Sequence, residues 1–148
     1  MTTLLITIVP SLIILSFFFF SDKFKEPKQT IAIVFFLGIL ICLPAGIIND
    51  FMYKTFNDGS DFSERLSSSF LSAAWSEEFL KFVILYFIVL RRNEFNEPMD
   101  GIVYGVTVSL GFATFENYDY VFRWAEEWGV DPYQMAIWRS YSAVPMHG

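Results

Sequence analysis

The sequence predicts an all-α, multi-pass transmembrane helical bundle with about four complete spans and a partial fifth. Three observations predict it. Of the 148 residues 54% are hydrophobic and 20% aromatic, with 18 Phe, which is too apolar for a soluble domain of this size. The apolar residues fall in long runs separated by charged or turn-forming loops. One run, 72–90, is long enough to cross a membrane yet carries Glu77, Glu78 and Lys81 inside it. Ionisable groups at the centre of a membrane helix cost at least ~2.5–3.5 kcal/mol each, so their presence marks either function or a tight packing cluster.

The first span, 4–20, is apolar apart from Thr7, Ser11 and Ser16. No Lys or Arg precedes it and no small-residue cleavage site follows, so it reads as an uncleaved span rather than a signal peptide. Pro10 is expected to kink it. A short loop with Lys23, Lys25 and Lys28 leads to the second span, 31–48, whose Gly38, Pro44 and Gly46 are breakers that membrane helices tolerate. Asp58-Gly59 marks a turn. Asp61 followed by Glu64 resembles a capping box, opening a helix that runs into the third span, 70–90. Ser67-Ser68-Ser69 makes the start of that span polar. Arg91-Arg92 ends it, and a charged loop with Pro98 follows.

The fourth span, 101–121, carries a stripe of Gly101, Gly105, Ser109, Ala113 and Asn117. Small residues at this spacing predict close packing, here against the third span. An acidic loop precedes a fifth apolar run, 136–148, whose 13 residues fall short of the ~20 that a span needs. The expectation is one integral membrane domain over 1–148, incomplete at its C-terminus and inactive as it stands. Loops one and three hold five Lys and Arg, against Lys54, Arg65 and Arg123 in loops two and four. The positive-inside rule then puts the N-terminus outside. Cys42 is the sole cysteine, so there is no disulfide framework. The net charge of −6 without a basic patch gives no support to nucleic-acid binding.

On a helix Lys81 lies four residues from Glu77 and three from Glu78, so one ammonium can serve both carboxylates. Adjacent carboxylates push each other's proton affinities apart, as acid/base sites require. Glu77 and Glu78 lie roughly 11 Å into the third span at 1.5 Å per residue, and His147 about 16 Å into the fifth from the same side. Glu116 and Asn117 sit near that end of the fourth. A carboxylate there can take a proton from water, and His147 with Asn117 can hold the oxyanion formed when the water attacks an amide. The bland alternatives are a helix-end ion cluster, interfacial placement of Glu116 and Asn117, and a structural histidine. Gly-x-Ser-x-Gly, His-Glu-x-x-His and phosphate-binding glycine loops are absent.

Glu77-Glu78-x-x-Lys81 is followed by Asp100-Gly101-x-x-Tyr104-Gly105, Gly111-Phe112-Ala113-x-x-Glu116-Asn117, Arg139-Ser140 and Pro145-x-His147. Together these resemble the PrsW family of intramembrane proteases, within the superfamily of CAAX prenyl endopeptidases and bacteriocin-processing proteins. The resemblance covers about residues 74–148. It implies a glutamic-type protease of the bacterial cell membrane that cleaves a single-span membrane protein such as an anti-sigma factor in stress signalling. It also gives Glu77 and Glu78 the paired-glutamate role and makes His147 the start of the third motif. Many superfamily members have histidine where Glu116 stands.

The leading expectation is therefore water-nucleophile proteolysis with Glu77, Glu78, Glu116, Asn117 and His147 catalytic and Lys81 supporting. The sequence leaves open which of Glu77 and Glu78 is the base. No cofactor is needed for that chemistry; in the alternative, Glu77, Glu78, Glu116 and His147 hold a divalent metal. Two further readings remain: a proton- or cation-coupled transporter, and an inactive relative that binds membrane proteins.

Overall fold

The computed structural model of the chain describes residues 1–67 and 75–148, and all regular structure among them is helical. Helix α1 (Thr2–Ser21) continues through Pro10. Helix α2 (Lys28–Phe56) is 29 residues long, about 43 Å at 1.5 Å per residue. These are the two described helices long and apolar enough to cross a membrane. Ile13, Phe17, Phe20, Phe36, Leu43 and Ile47 stand outward on them, each more than 60% exposed, a surface suited to lipid.

Helix α3 (Asp61–Arg65) starts one residue earlier than the capping pattern implied. Its cap is Ser60, whose hydroxyl accepts from the Ser63 N–H at 3.2 Å. Ser63 in turn donates to the Asp58 carboxylate, which holds that carboxyl at about 2. The rest of the expected serine-rich entry, with Ser68 and Ser69, falls in 68–74 and lies outside the described residues. Helix α4 (Glu77–Ile84) continues as a π-helical segment, Leu85–Val89, and ends in a turn before Arg92.

Helix α5 (Pro98–Asp119) begins with proline in its first turn, where a missing N–H costs nothing. The Asp100 carboxylate accepts from the backbone N–H groups of Asn96 and Glu97, both at 2.8 Å. α5 is the central helix: it packs against α1, α2 and the last elements. It runs on into a second π-helical segment, Tyr120–Trp124, and short α6 (Ala125–Glu127). The fifth apolar run starts earlier than expected. Asp131 caps α7 (Pro132–Tyr141) by accepting from Gln134 N–H at 3.4 Å. The run then breaks at Ser142 before α8 (Ala143–His147). Pro145 has no N–H to offer the Tyr141 carbonyl four residues back, which accounts for the break.

The core lies between α2 and α5. Thr30, Ile31, Val34, Gly38, Ile41 and Ala45 form the buried stripe of α2, recurring every three or four residues. Against it pack Val103, Tyr104, Val108 and Phe112 of α5. At their crossing a methyl on Gly38 would collide with the Val108 carbonyl oxygen, and one on Gly111 with the Phe35 carbonyl oxygen. The close approach therefore joins the fourth span to the second, at Gly111, and not to the third along the Gly101–Gly105 stripe. Among the described residues a methyl on Gly105 would meet nothing within 4 Å. The stripe misled because α5 is buried on nearly every side, so small residues occur off its tight face as well as on it.

Overpacking a backbone contact of this kind costs roughly 1–3 kcal/mol. Gly38→Ala and Gly111→Ala should each lower the thermal midpoint of the detergent-solubilised protein, while Gly105→Ala leaves it unchanged. Equal midpoints for all three variants would contradict the crossing.

Candidate active site

The groups singled out in the sequence converge at the C-terminal end of α5. A cleft of about 880 Å³ opens there between α2, α4 and α5, walled by Ala45 and Asn49 of α2, Glu77 of α4, and Phe112, Phe115 and Glu116 of α5. Tyr53, Tyr120, Trp124 and Trp128 add aromatic rings to its lining. The π-helical segment supplies Tyr120 and Trp124, so the change of winding after Asp119 aims both rings at the cleft.

The paired glutamates part company. Glu77 is 8% exposed and lines the cleft, where its Oε1 accepts from Asn49 Nδ2 at 3.3 Å. Ser76 donates to Asn49 Oδ1 and so fixes which way that amide faces. The Glu78 side chain is 68% exposed and does not line the cleft. Neighbouring positions on a helix are 100° apart, so only one of two adjacent carboxylates can face a given wall. Lys81 pairs with Glu78 at 2.6 Å rather than bridging both, and no ion pair to Glu77 occurs among the described residues.

The buried Lys81 ammonium also lies 3.2 Å from His147 Nδ1 and 4.9 Å from the centre of the Phe112 ring. An ammonium offers only donors, so Nδ1 accepts and the ring proton resides on Nε2. His147 Nε2 then donates to Glu116 Oε2 at 3.2 Å. Glu116 Oε2 also accepts from Arg139 Nη2 at 2.8 Å, and Arg139 Nε donates to Asn117 Oδ1 at 2.7 Å. The guanidinium stacks on Tyr120, with its carbon 3.9 Å from the ring centre. Glu78, Lys81, His147, Glu116, Arg139 and Asn117 thus form one continuous polar chain. Of these, Glu116 reaches the cleft wall; His147 and Asn117 stand behind it.

Two residues of the site went unselected in the sequence. Arg139 belongs to a quoted motif, but its charge inside an apolar run was the stronger signal, since such a charge needs a buried partner. Asn49 falls just past the second span expected over 31–48. It continues the Ile41–Ala45 stripe at a spacing of four, and that periodicity was its signal.

As arranged here, the expected donors do not fit a metal. Glu78 turns away to Lys81, His147 Nδ1 faces an ammonium, and Glu116 Oε2 is held by Arg139. Among the described residues the three acidic side chains whose ligand atoms all lie within 4.8 Å of one another are elsewhere, at Asp22, Glu26 and Asp100.

Removing one partner of a buried ion pair leaves the other charge uncompensated, at a cost on the order of 3 kcal/mol. Arg139→Met should therefore destabilise the protein strongly. Arg139→Lys should recover only part of the loss, because an ammonium cannot span Glu116 and Asn117 as the fork does. Thermal melts in detergent measure both, and full recovery by lysine would show that the fork geometry is immaterial.

Comparison with known proteins places this chain in a family. A family model described as PrsW family intramembrane metalloprotease matches residues 26–148. The chain is similar to Protease PrsW of Geobacillus kaustophilus (strain HTA426), with 40% identity over 115 residues covering 77% of the chain and 49% of that protein. Protease PrsW of Bacillus subtilis (strain 168) is 40% identical over 115 residues, 77% of the chain and 51% of the relative. Protease PrsW of Clostridioides difficile (strain 630) is 31% identical over 144 residues, 97% of the chain and 59% of the relative. The chain spans about half the length of the curated relatives it matches. No solved structure matches it. With the family model covering 26–148, which includes every site residue named above, the chain is an all-α membrane protein and belongs to the PrsW family.

Proposed function

We propose that the chain forms part of an intramembrane endopeptidase of the bacterial cell membrane, cleaving a single-span membrane protein, with water as nucleophile and Glu77 as general base. The observation that carries this reading is the placing of Glu77 and Glu116 on the walls of one cleft with unlike partners. Glu116 is held by a guanidinium and an imidazole, whereas Glu77 receives one neutral amide hydrogen bond. Glu77 is the carboxylate left to accept a proton.

In this mechanism Glu77 takes a proton from water as the oxygen attacks the scissile carbonyl, then returns it to the departing amine. The His147 Nε2–H, whose tautomer Lys81 fixes, is engaged by Glu116 Oε2, so His147 acts as a positioning residue for Glu116. Asn117 acts as a positioning residue through Arg139. The aromatic lining suits an unwound apolar segment, and an anti-sigma factor is the substrate that the family resemblance suggests. The family description includes a metal, and the residues as arranged here do not fit one at this site; the roles above belong to side chains alone.

The test separates the two glutamates. In the full-length protein co-expressed with a single-span substrate, Glu77→Gln should reduce cleavage by about 10²–10⁴-fold, the usual worth of a general base. Glu78→Gln should cost far less, since it acts only through Lys81. Equal loss in both would defeat the assignment of the base. The unbroken chain from Glu78 to Arg139 also suits a proton path in a transporter. Substrate cleavage by the wild type with no proton uptake in vesicles excludes that second reading.

A further inference from the structure

At the opposite end of α5 the Asp100-Gly101 motif takes part in nothing described so far. Asp100 lies in the first turn of α5, Asp22 directly follows α1, and Glu26 directly precedes the Pro27 that caps α2. Their carboxylates come within 4.8 Å of one another, and the three residues are 1%, 2% and 5% exposed.

No cation compensates this charge among the described residues. Lys25 donates to the backbone carbonyls of Phe20 and Asp22, Lys23 lies over the Phe24 ring, and Arg92 engages Ile88, Thr30 and Glu94. Each carboxyl receives at least one neutral donor. Tyr104 O–H donates to Glu26 Oε2 at 2.5 Å, two backbone N–H groups donate to Asp100 Oδ2, and Phe24 N–H donates to Asp22 Oδ1 at 3.1 Å. A second observation points beyond an acidic cluster: Asp22 Oδ2 is fully buried and has no hydrogen-bond partner. A buried carboxylate oxygen without a donor is an open ligand position.

We infer that Asp22, Glu26 and Asp100 form a binding site for a hard divalent cation that joins the ends of α1, α2 and α5. Three carboxylates and no nitrogen or sulfur donor select Mg²⁺, Ca²⁺ or Mn²⁺ over zinc or copper. The site holds helix ends together and stands apart from the cleft, so it does not depend on the proposed proteolysis.

Mn²⁺ is the probe. The full-length protein, with Glu77→Gln and His147→Ala in place to silence the cleft, is titrated with Mn²⁺ in detergent by electron paramagnetic resonance. A thermal melt is run in parallel. Saturable binding of one Mn²⁺ per chain, displaced by Mg²⁺ or Ca²⁺ and raising the melting midpoint, is expected. Adding Asp22→Asn or Glu26→Gln should weaken binding by at least about tenfold. Asp22→Asn keeps the shape and the Phe24 hydrogen bond, and Glu26→Gln serves if that variant does not fold. The absence of saturable Mn²⁺ binding in the parent protein, or unchanged affinity in the variants, overturns the inference and leaves protons as what neutralises the cluster.

Discussion

The contact between the backbones of α2 and α5 sets the geometry of everything around it. Lipid is as apolar as the side chains that face it, so membrane helices gain little from burying leucine against leucine and associate through close packing. Gly38 against the Val108 carbonyl and Gly111 against the Phe35 carbonyl give that closeness in both directions. Cys42 follows Gly38 by one turn and places its sulfur 3.4 Å from the Phe112 carbonyl. One and two turns further on, Ala45 and Asn49 reach the cleft wall, where Glu116 arrives five residues past Gly111. A slip of either helix along the other would move Asn49 and Glu116 relative to Glu77. The register of the candidate site is therefore fixed by two glycines that take no part in it.

Charge inside such a bundle persists only when it is answered locally. At 2.8 Å and an effective dielectric constant of 20, Arg139 and Glu116 attract by about 6 kcal/mol before desolvation. Desolvation returns several kcal/mol per ion, so the pair is tolerated more than it is stabilising. The same logic extends along the line, where Lys81 and His147 lie between the acids Glu78 and Glu116 and Arg139 lies beyond Glu116. Glu77 stands outside that line, beside an amide, and forms no ion pair among the described residues.

What the sequence made legible was the presence of the groups and their depth. Ionisable residues in apolar runs are conspicuous, and counting 1.5 Å per residue brought Glu77, Glu116 and His147 to one level. Helix rotation was not legible. Whether Glu77 or Glu78 faces the cleft is a difference of 100°, and no periodicity in 72–90 resolves it. Helix ends were only partly legible. Asp50 and Lys54 made the end of α2 look like a loop, although they pair with each other on its exposed side while the helix runs on to Phe56. Small-residue spacing along 101–121 named a packing face, but the tight contact is at Gly111, because steric need depends on what the opposing backbone presents.

A carboxylate inside an apolar bundle needs a partner or water. Glu116 and Asp119 lie within the continuous winding from α5 through Tyr120–Trp124 to α6, whereas Asp100 enjoys the favourable N-terminal end. Asp119 reaches Arg123 one turn on, at 3.7 Å and largely in solvent. Glu116 faces inward, and its compensation comes from Arg139 on α7 and His147 on α8. The break at Ser142 lets one short apolar run deliver both groups to the same oxygen from two directions. The elements after α6 are thus part of the site itself: they supply the positive charge and the hydrogen bond that allow Glu116 to hold its place on the cleft wall opposite Glu77.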